Sequence, residues 1–200
     1  MPNTPSTASL STVRQELQRC FILHQRPFKE TSLILDIFSE NHGRLSILAR
    51  GAKRKNSSFK GVLQPFSALF LSWTGRSDLK ILVDGQAQAA PYWLQGLSLF
   101  SALYVNELLI KVLNYNDPYV RLYQQYEIVL NALAHSNNEN EKIRDSLRVF
   151  ESELLAELGY ALDLTGVIDV KLELRMALQR ILGNKMIHSR VLVKKLLLGV

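Results

Sequence analysis

Residues 20–50 read CFILHQRPFKETSLILDIFSENHGRLSILAR, and the fold turns on how this stretch is read. It holds three apolar segments, CFILHQ at 20–25, SLILDIFSE at 32–40 and RLSILAR at 44–50, rich in residues that suit a pleated surface. Between the last two, ENHG at 40–43 supplies the asparagine and glycine that a tight hairpin uses for positive φ. Two more segments follow, SALFLSW at 67–73 and LKILVDGQ at 79–86, separated by a second turn, TGRSD at 74–78. Five strands in so short a span predict a small barrel. Several are apolar runs without strict alternation, which fits closure around a core with one side covered, although periodicity alone leaves buried helix open. GAKRKNSSFKG at 51–61 is too polar and glycine-bounded for a strand, so it is an exposed loop or short helical turn.

From about Gly96 the period becomes helical. Leu103, Leu108, Leu109 and Val112 follow helical spacing in a first helix over 97–113. Asp117-Pro118 predicts an N-cap with proline at the first helical position of the next. That helix carries Leu122, Tyr126, Val129, Leu130 and Leu133 on one face. After the polar break at 135–141, Ile143, Leu147, Phe150, Leu154 and Leu158 recur at steps of four or three, and Gly159 supplies a C-cap. Two last helices are expected over 170–182 and 190–198. The organisation is therefore α+β: a polar tail over 1–16 with a weak helix near 13–17, a barrel over 17–90, and a helical bundle over 91–200.

The 200 residues carry 24 Lys+Arg against 18 Asp+Glu, with 47% hydrophobic residues and one cysteine. Such an apolar fraction excludes global disorder. A lone Cys20 makes no internal disulfide and fits a reducing compartment. No apolar run approaches a membrane span and the N-terminus lacks an apolar signal core, so a cytoplasmic protein without membrane contact is expected. The net charge of +6 points to a polyanionic partner. It is also unevenly placed: residues 1–90 hold the whole excess, 91–200 are balanced, and Asn41–Ser77 has no acid at all.

Catalytic chemistry is sparse. His24, His42, His135 and His188 are scattered without the spacing for a shared metal or an activated nucleophile. Neither a phosphate-cradling P-loop nor a dinucleotide fingerprint occurs. Glu153 and Glu157 are four apart on a helix but read as solvated, and Asp36 and Asp84 as hydrogen-bonding strand residues. The chain is thus expected to be no enzyme and to hold no cofactor or metal. The informative feature is the loop: Arg50, Lys53, Arg54, Lys55 and Lys60, with serines between them, can contact consecutive phosphates without reading bases. Arg44 and Arg76 extend the set, and Phe59 is a candidate for stacking on a base. A plain solvated surface, with Phe59 plugging one end of the barrel, is the alternative.

The segments FILHQRPFKETSLILDIF at 21–38 and HGRLSILARGAKRKNSSFKGVLQPFSALFLSW at 42–73 resemble the N-terminal domain of the bacterial recombination protein O (RecO) family. RPFKETS, HGR, ARGAKR and LQPF carry the likeness in order and spacing. LYVNELL at 103–109, LRVFE at 147–151, LGY at 158–160 and LGNK at 182–185 continue it. One departure stands out: after LGY, many members carry a further segment with four cysteines binding zinc, whereas here LTGVID at 164–169 passes almost directly into the last helices. The chain either lacks that piece or is given without it, and has no ligands for that zinc.

The resemblance implies an oligonucleotide/oligosaccharide-binding (OB) barrel followed by a helical domain, in a nucleoid-associated cytoplasmic protein of DNA repair and recombination. It implies binding of single- and double-stranded DNA, annealing of complementary strands, and work with RecR and RecF to place RecA on strands coated by the single-stranded-DNA-binding protein SSB. It also implies a groove in the helical domain for the acidic, Phe-terminated SSB tail. Arg144 and Arg148 would form the rim of that groove, and Leu155, Leu158 or Tyr160 its floor. An ordinary amphipathic helix with solvated arginines is equally consistent. Two other classes stay open: a generic single-strand or RNA-binding OB adaptor, and a metal-dependent nuclease, for which no carboxylate or histidine constellation is visible.

Overall fold

The computed structural model describes residues 16–163, 169–189 and 193. Strands β1 (Gln18–Phe28), β2 (Ser32–Ser39), β3 (Gly43–Ala49), β4 (Leu69–Thr74) and β5 (Leu79–Ala87) precede helices α1 (Gly96–Val112), α2 (Val120–Ala134), α3 (Asn140–Glu157) and α4 (Val170–Leu182). The strands close into a barrel in the order β1-β2-β3-β5-β4, antiparallel except for β3 beside β5. This is the arrangement of an OB-type barrel followed by a helical domain. The expected tail before residue 16, nearly all of the 164–169 passage and, but for Val193, the helix over 190–198 lie outside the described residues.

The unbroken apolar runs have a physical cause: β1 buries both of its faces. Cys20 and Ile22 point into the barrel with Leu35, Ile37, Leu45, Ile47, Leu69 and Leu71. Phe21 and Leu23 point the other way, with Phe38, into the core built by α1 and α2. There Phe21 meets Tyr126 edge-on at 5.0 Å and Tyr123 at 5.5 Å, and Phe38 meets Tyr123 at 5.5 Å. Two polar groups at this junction are matched, the Asn106 amide donating to the Leu23 carbonyl at 2.9 Å and the Tyr126 hydroxyl to Asn106 at 2.6 Å, while the buried Tyr123 hydroxyl has no hydrogen-bond partner among the described residues. Barrel and helices therefore share one apolar core.

Several boundaries differ from the sequence expectation. β1 runs on to Phe28 through Pro27, because beyond Cys20 its other flank has no strand partner and the missing N–H leaves no ladder bond unmade. In the β2–β3 turn only Gly43 takes positive φ, at 66°; Asn41 does not. A Cβ on Gly43 would stand 1.8 Å from the Asp117 carbonyl oxygen, so glycine is required twice over. α2 begins at Val120 and not behind Pro118, since the Asp117 carboxylate accepts from the Tyr119 hydroxyl at 2.7 Å instead of capping the helix. On α1, Leu103 is exposed, and the buried face runs through Ala102, Val105, Leu108 and Leu109. α3 closes as expected on Gly159: the Gly159 amide donates to Ala156 and the Tyr160 amide to Leu155.

Candidate nucleic-acid interface

The loop after β3 is a chain of tight turns. Arg54 N–H donates to the Gly51 carbonyl, Ser57 to Arg54 and Lys60 to Ser57, each near 3.0–3.1 Å. This repeat of three residues turns Arg50, Lys53, Arg54, Lys55 and Lys60 outward into solvent. Two bonds tie the loop to the tip of the β1–β2 hairpin: Lys53 N–H to the Thr31 carbonyl at 2.9 Å and Gly51 N–H to Ser32 Oγ at 3.4 Å. Phe59 packs half-buried on the barrel core, 3.7 Å from where a Gly85 side chain would begin, and its remaining surface lines this mouth. Between loop and hairpin lies an open cleft of about 440 Å³ flanked by Lys53, Arg54, Lys55 and Lys60.

The hairpin adds residues that sequence reading missed. β1 pairs Arg26 with Ile34 and Phe28 with Ser32, which leaves exposed Arg26 and Lys29 at the same mouth. The signal lay in RPFKETS, whose charges belong to a hairpin tip once the strand is extended through Pro27. None of these seven cations makes an ion pair among the described residues. Glu30, on the tip itself, brings one acid to the mouth that the acid-free run does not contain. The connection from β5 to α1 carries Trp93 at 80% exposure, beside Tyr92, which packs on the helical core and away from the cleft.

Two of the expected cations lie elsewhere. Arg44 is the second residue of β3, at the opposite end of that strand from the loop, and is buried. Its guanidinium stacks on the Tyr115 ring at 4.2 Å, donates to the Tyr115 hydroxyl at 2.8 Å and to the Ile110 carbonyl, and stands 3.7 Å from Asp36. Asp36 also accepts from Ser46 at 2.9 Å. Arg44 therefore joins the barrel to the end of α1 and faces no phosphate at the mouth. Arg76 sits in the β4–β5 turn, also at the end away from the loop. His42 lies at that far end against Trp73, and burial lowers its pKa.

The α3 residues divide between surface and core. Arg144 and Arg148 lie in its first half, and Arg148 pairs with Asp145 at 3.1 Å. Leu155 is 1% exposed and belongs to the core, so it offers no floor; Leu158 is half-buried and only Tyr160 stands out, at 53%. Glu153 is taken by Arg121 at 2.8 Å. Among the described residues no group of three or more His, Cys, Asp or Glu is placed to hold a metal ion, and no helix is long and apolar enough to cross a membrane.

A closed five-stranded barrel with an open cationic mouth and a helical domain packed on its side defines an OB-type barrel protein. The chain belongs to the recombination protein O family: residues 13–89 match its N-terminal domain and 95–170 its C-terminal domain. It is 47% identical over 161 residues to the DNA repair protein RecO of Coxiella burnetii, covering 80% of this chain and 68% of that protein. The RecO proteins of Photobacterium profundum and Haemophilus influenzae are 48% and 47% identical over 147 and 151 residues. Those matches cover 74% and 76% of this chain, but 61% and 62% of the two proteins.

Proposed function

We propose that this chain serves DNA repair, as the name of its relatives states, by holding the backbone of DNA on the barrel mouth. The observation that carries the reading is one cleft flanked by four exposed loop cations, Lys53, Arg54, Lys55 and Lys60, with Arg50, Arg26 and Lys29 exposed at the same end of the barrel and none of the seven in an ion pair among the described residues. Each phosphate neutralised there releases counterions, and two strands held together repel less, which favours annealing. In the same reading the protein works with RecR and RecF to place RecA on SSB-coated single strands, with chemistry carried by partners. Replacing Lys53, Arg54 and Lys55 together by alanine is the test. The salt dependence of single-strand binding should flatten by about 2 in log–log slope, at roughly 0.7 per phosphate contact. An unchanged affinity and slope would remove the assignment.

The SSB-tail reading narrows with the geometry: Arg144 and Arg148 supply the cations, and Tyr160 with Leu158 the accessible apolar surface. Equal binding of an acidic, Phe-terminated peptide by the wild type and by Arg148→Glu would discard it.

A further inference from the structure

The mouth cleft has a composition that phosphate binding alone does not explain. Its volume of about 440 Å³ falls within the roughly 300–1,000 Å³ of small-ligand clefts. Leu33, Ala52, Leu63 and the half-buried Phe59 give it apolar walls, Gln25 adds one amide, and cations flank it. A bare phosphate would leave the apolar walls wet, and an apolar peptide would leave the cations unmatched. A nucleotide of a strand presents all three complements: flat apolar faces, a polar edge that an amide can both donate to and accept from, and phosphates on either side.

We propose that the cleft takes one unstacked base of a single DNA strand, its faces against Phe59 and Leu63, its edge at Gln25 and its flanking phosphates on the loop lysines. This rests on the nucleic-acid reading of the mouth given above and adds a preference to it: a paired base reaches the cleft only by leaving its stack and its partner, so the mouth selects single strand over duplex.

The probe is a short oligothymidylate carrying one 2-aminopurine, titrated into the full chain beside a duplex of the same length. In the wild type, the fluorescence of 2-aminopurine should change on binding at some positions along the strand. Ala52→Phe fills the cleft and removes no cation; it should abolish that change and weaken single-strand binding about tenfold, the effect of losing one stacked base. Duplex affinity should stay as it was. Gln25→Leu, on an exposed strand position, should keep the signal of a pyrimidine-context probe but alter the preference among bases, and it serves where Ala52→Phe fails to fold. Strand binding with its salt slope intact, but with a silent probe and the same affinity in Ala52→Phe or unaltered base preference in Gln25→Leu, overturns the base site and leaves phosphate binding standing. Absence of any DNA binding by the wild type overturns both. Displacement of the strand by millimolar deoxyadenosine monophosphate would show that a free nucleotide is the occupant, and would overturn the assignment to a strand.

Discussion

Arg44 and Lys53 belong to the same acid-free run of sequence, yet the two ends of the barrel use them in opposite ways. At the end away from the loop Arg44 is 9% exposed and held by an aromatic ring, backbone carbonyls and a carboxylate. At the open end the loop cations stand in water, with no ion pair among the described residues. Their identical formal charge does different work because the desolvation of Arg44 is offset by fixed local acceptors, whereas a solvated lysine keeps its charge available to a ligand.

The contrast breaks most visibly at Arg44. Arg44→Ala leaves the Ile110 and Leu113 carbonyls without their buried donor and Asp36 without its neighbouring cation, and should destabilise the fold by about 3–5 kcal/mol in urea unfolding, while DNA affinity of the folded fraction stays unchanged. A comparable loss of DNA binding would place Arg44 in the interface after all. Gly43→Ala, which drives a Cβ into the Asp117 carbonyl and keeps positive φ, should cost about 3 kcal/mol in the same measurement. At the open end the effects move from stability to salt dependence: Arg26→Ala and Lys29→Ala should each flatten the single-strand binding slope by about 0.7, and Arg76→Ala should not. Equal slopes for all three would mean that the whole barrel surface attracts DNA diffusely.

The smallest effect concerns Glu107 on α1. Burial raises its pKa, but the Ser189 hydroxyl and the Ser189 and His188 amides that donate to it outweigh that, and its pKa lies below the ordinary value. A carboxylate depressed in the folded state stabilises fully above the unfolded pKa of about 4.3 and loses that contribution as pH falls through its folded value. The stability advantage of wild type over Glu107→Gln should therefore be constant near neutrality and fade in the acid range. An advantage that grows on acidification would reverse the sign.

The faces of α2 and α3 were legible because each rests on a local period, Leu122, Tyr126 and Leu133 marking α2 by spacing alone, whereas the strands were legible as apolar runs bounded by turn residues. The two-faced burial of CFIL was legible as well, as an apolar run that needs cover on both sides. What covers Phe21 was not, because Tyr126 is distant in the chain and no pattern near residue 21 refers to it. The site divided the same way. The loop cations announce themselves by density, but Arg44 differs from Arg50 only in the register that carries it toward Tyr115. Arg26 and Lys29 became part of the mouth through a hairpin tip that local charge does not mark. Cys20 behaves as a lone cysteine with apolar neighbours should: burial pushes its thiol up to about 12, which leaves it inert at neutral pH.

The shared core has a consequence for the order of events during synthesis. Arg19 on β1 and its partner Glu127 on α2 are 108 residues apart, and Phe21 waits for Tyr126 over a similar span. At roughly 5–20 residues per second, Glu127 follows the end of the barrel at Ala87 by on the order of 2–8 s. Throughout that interval Phe21, Leu23 and Phe38 face water or a chaperone. The nascent barrel is thus most exposed to aggregation on the side where the finished protein is best packed.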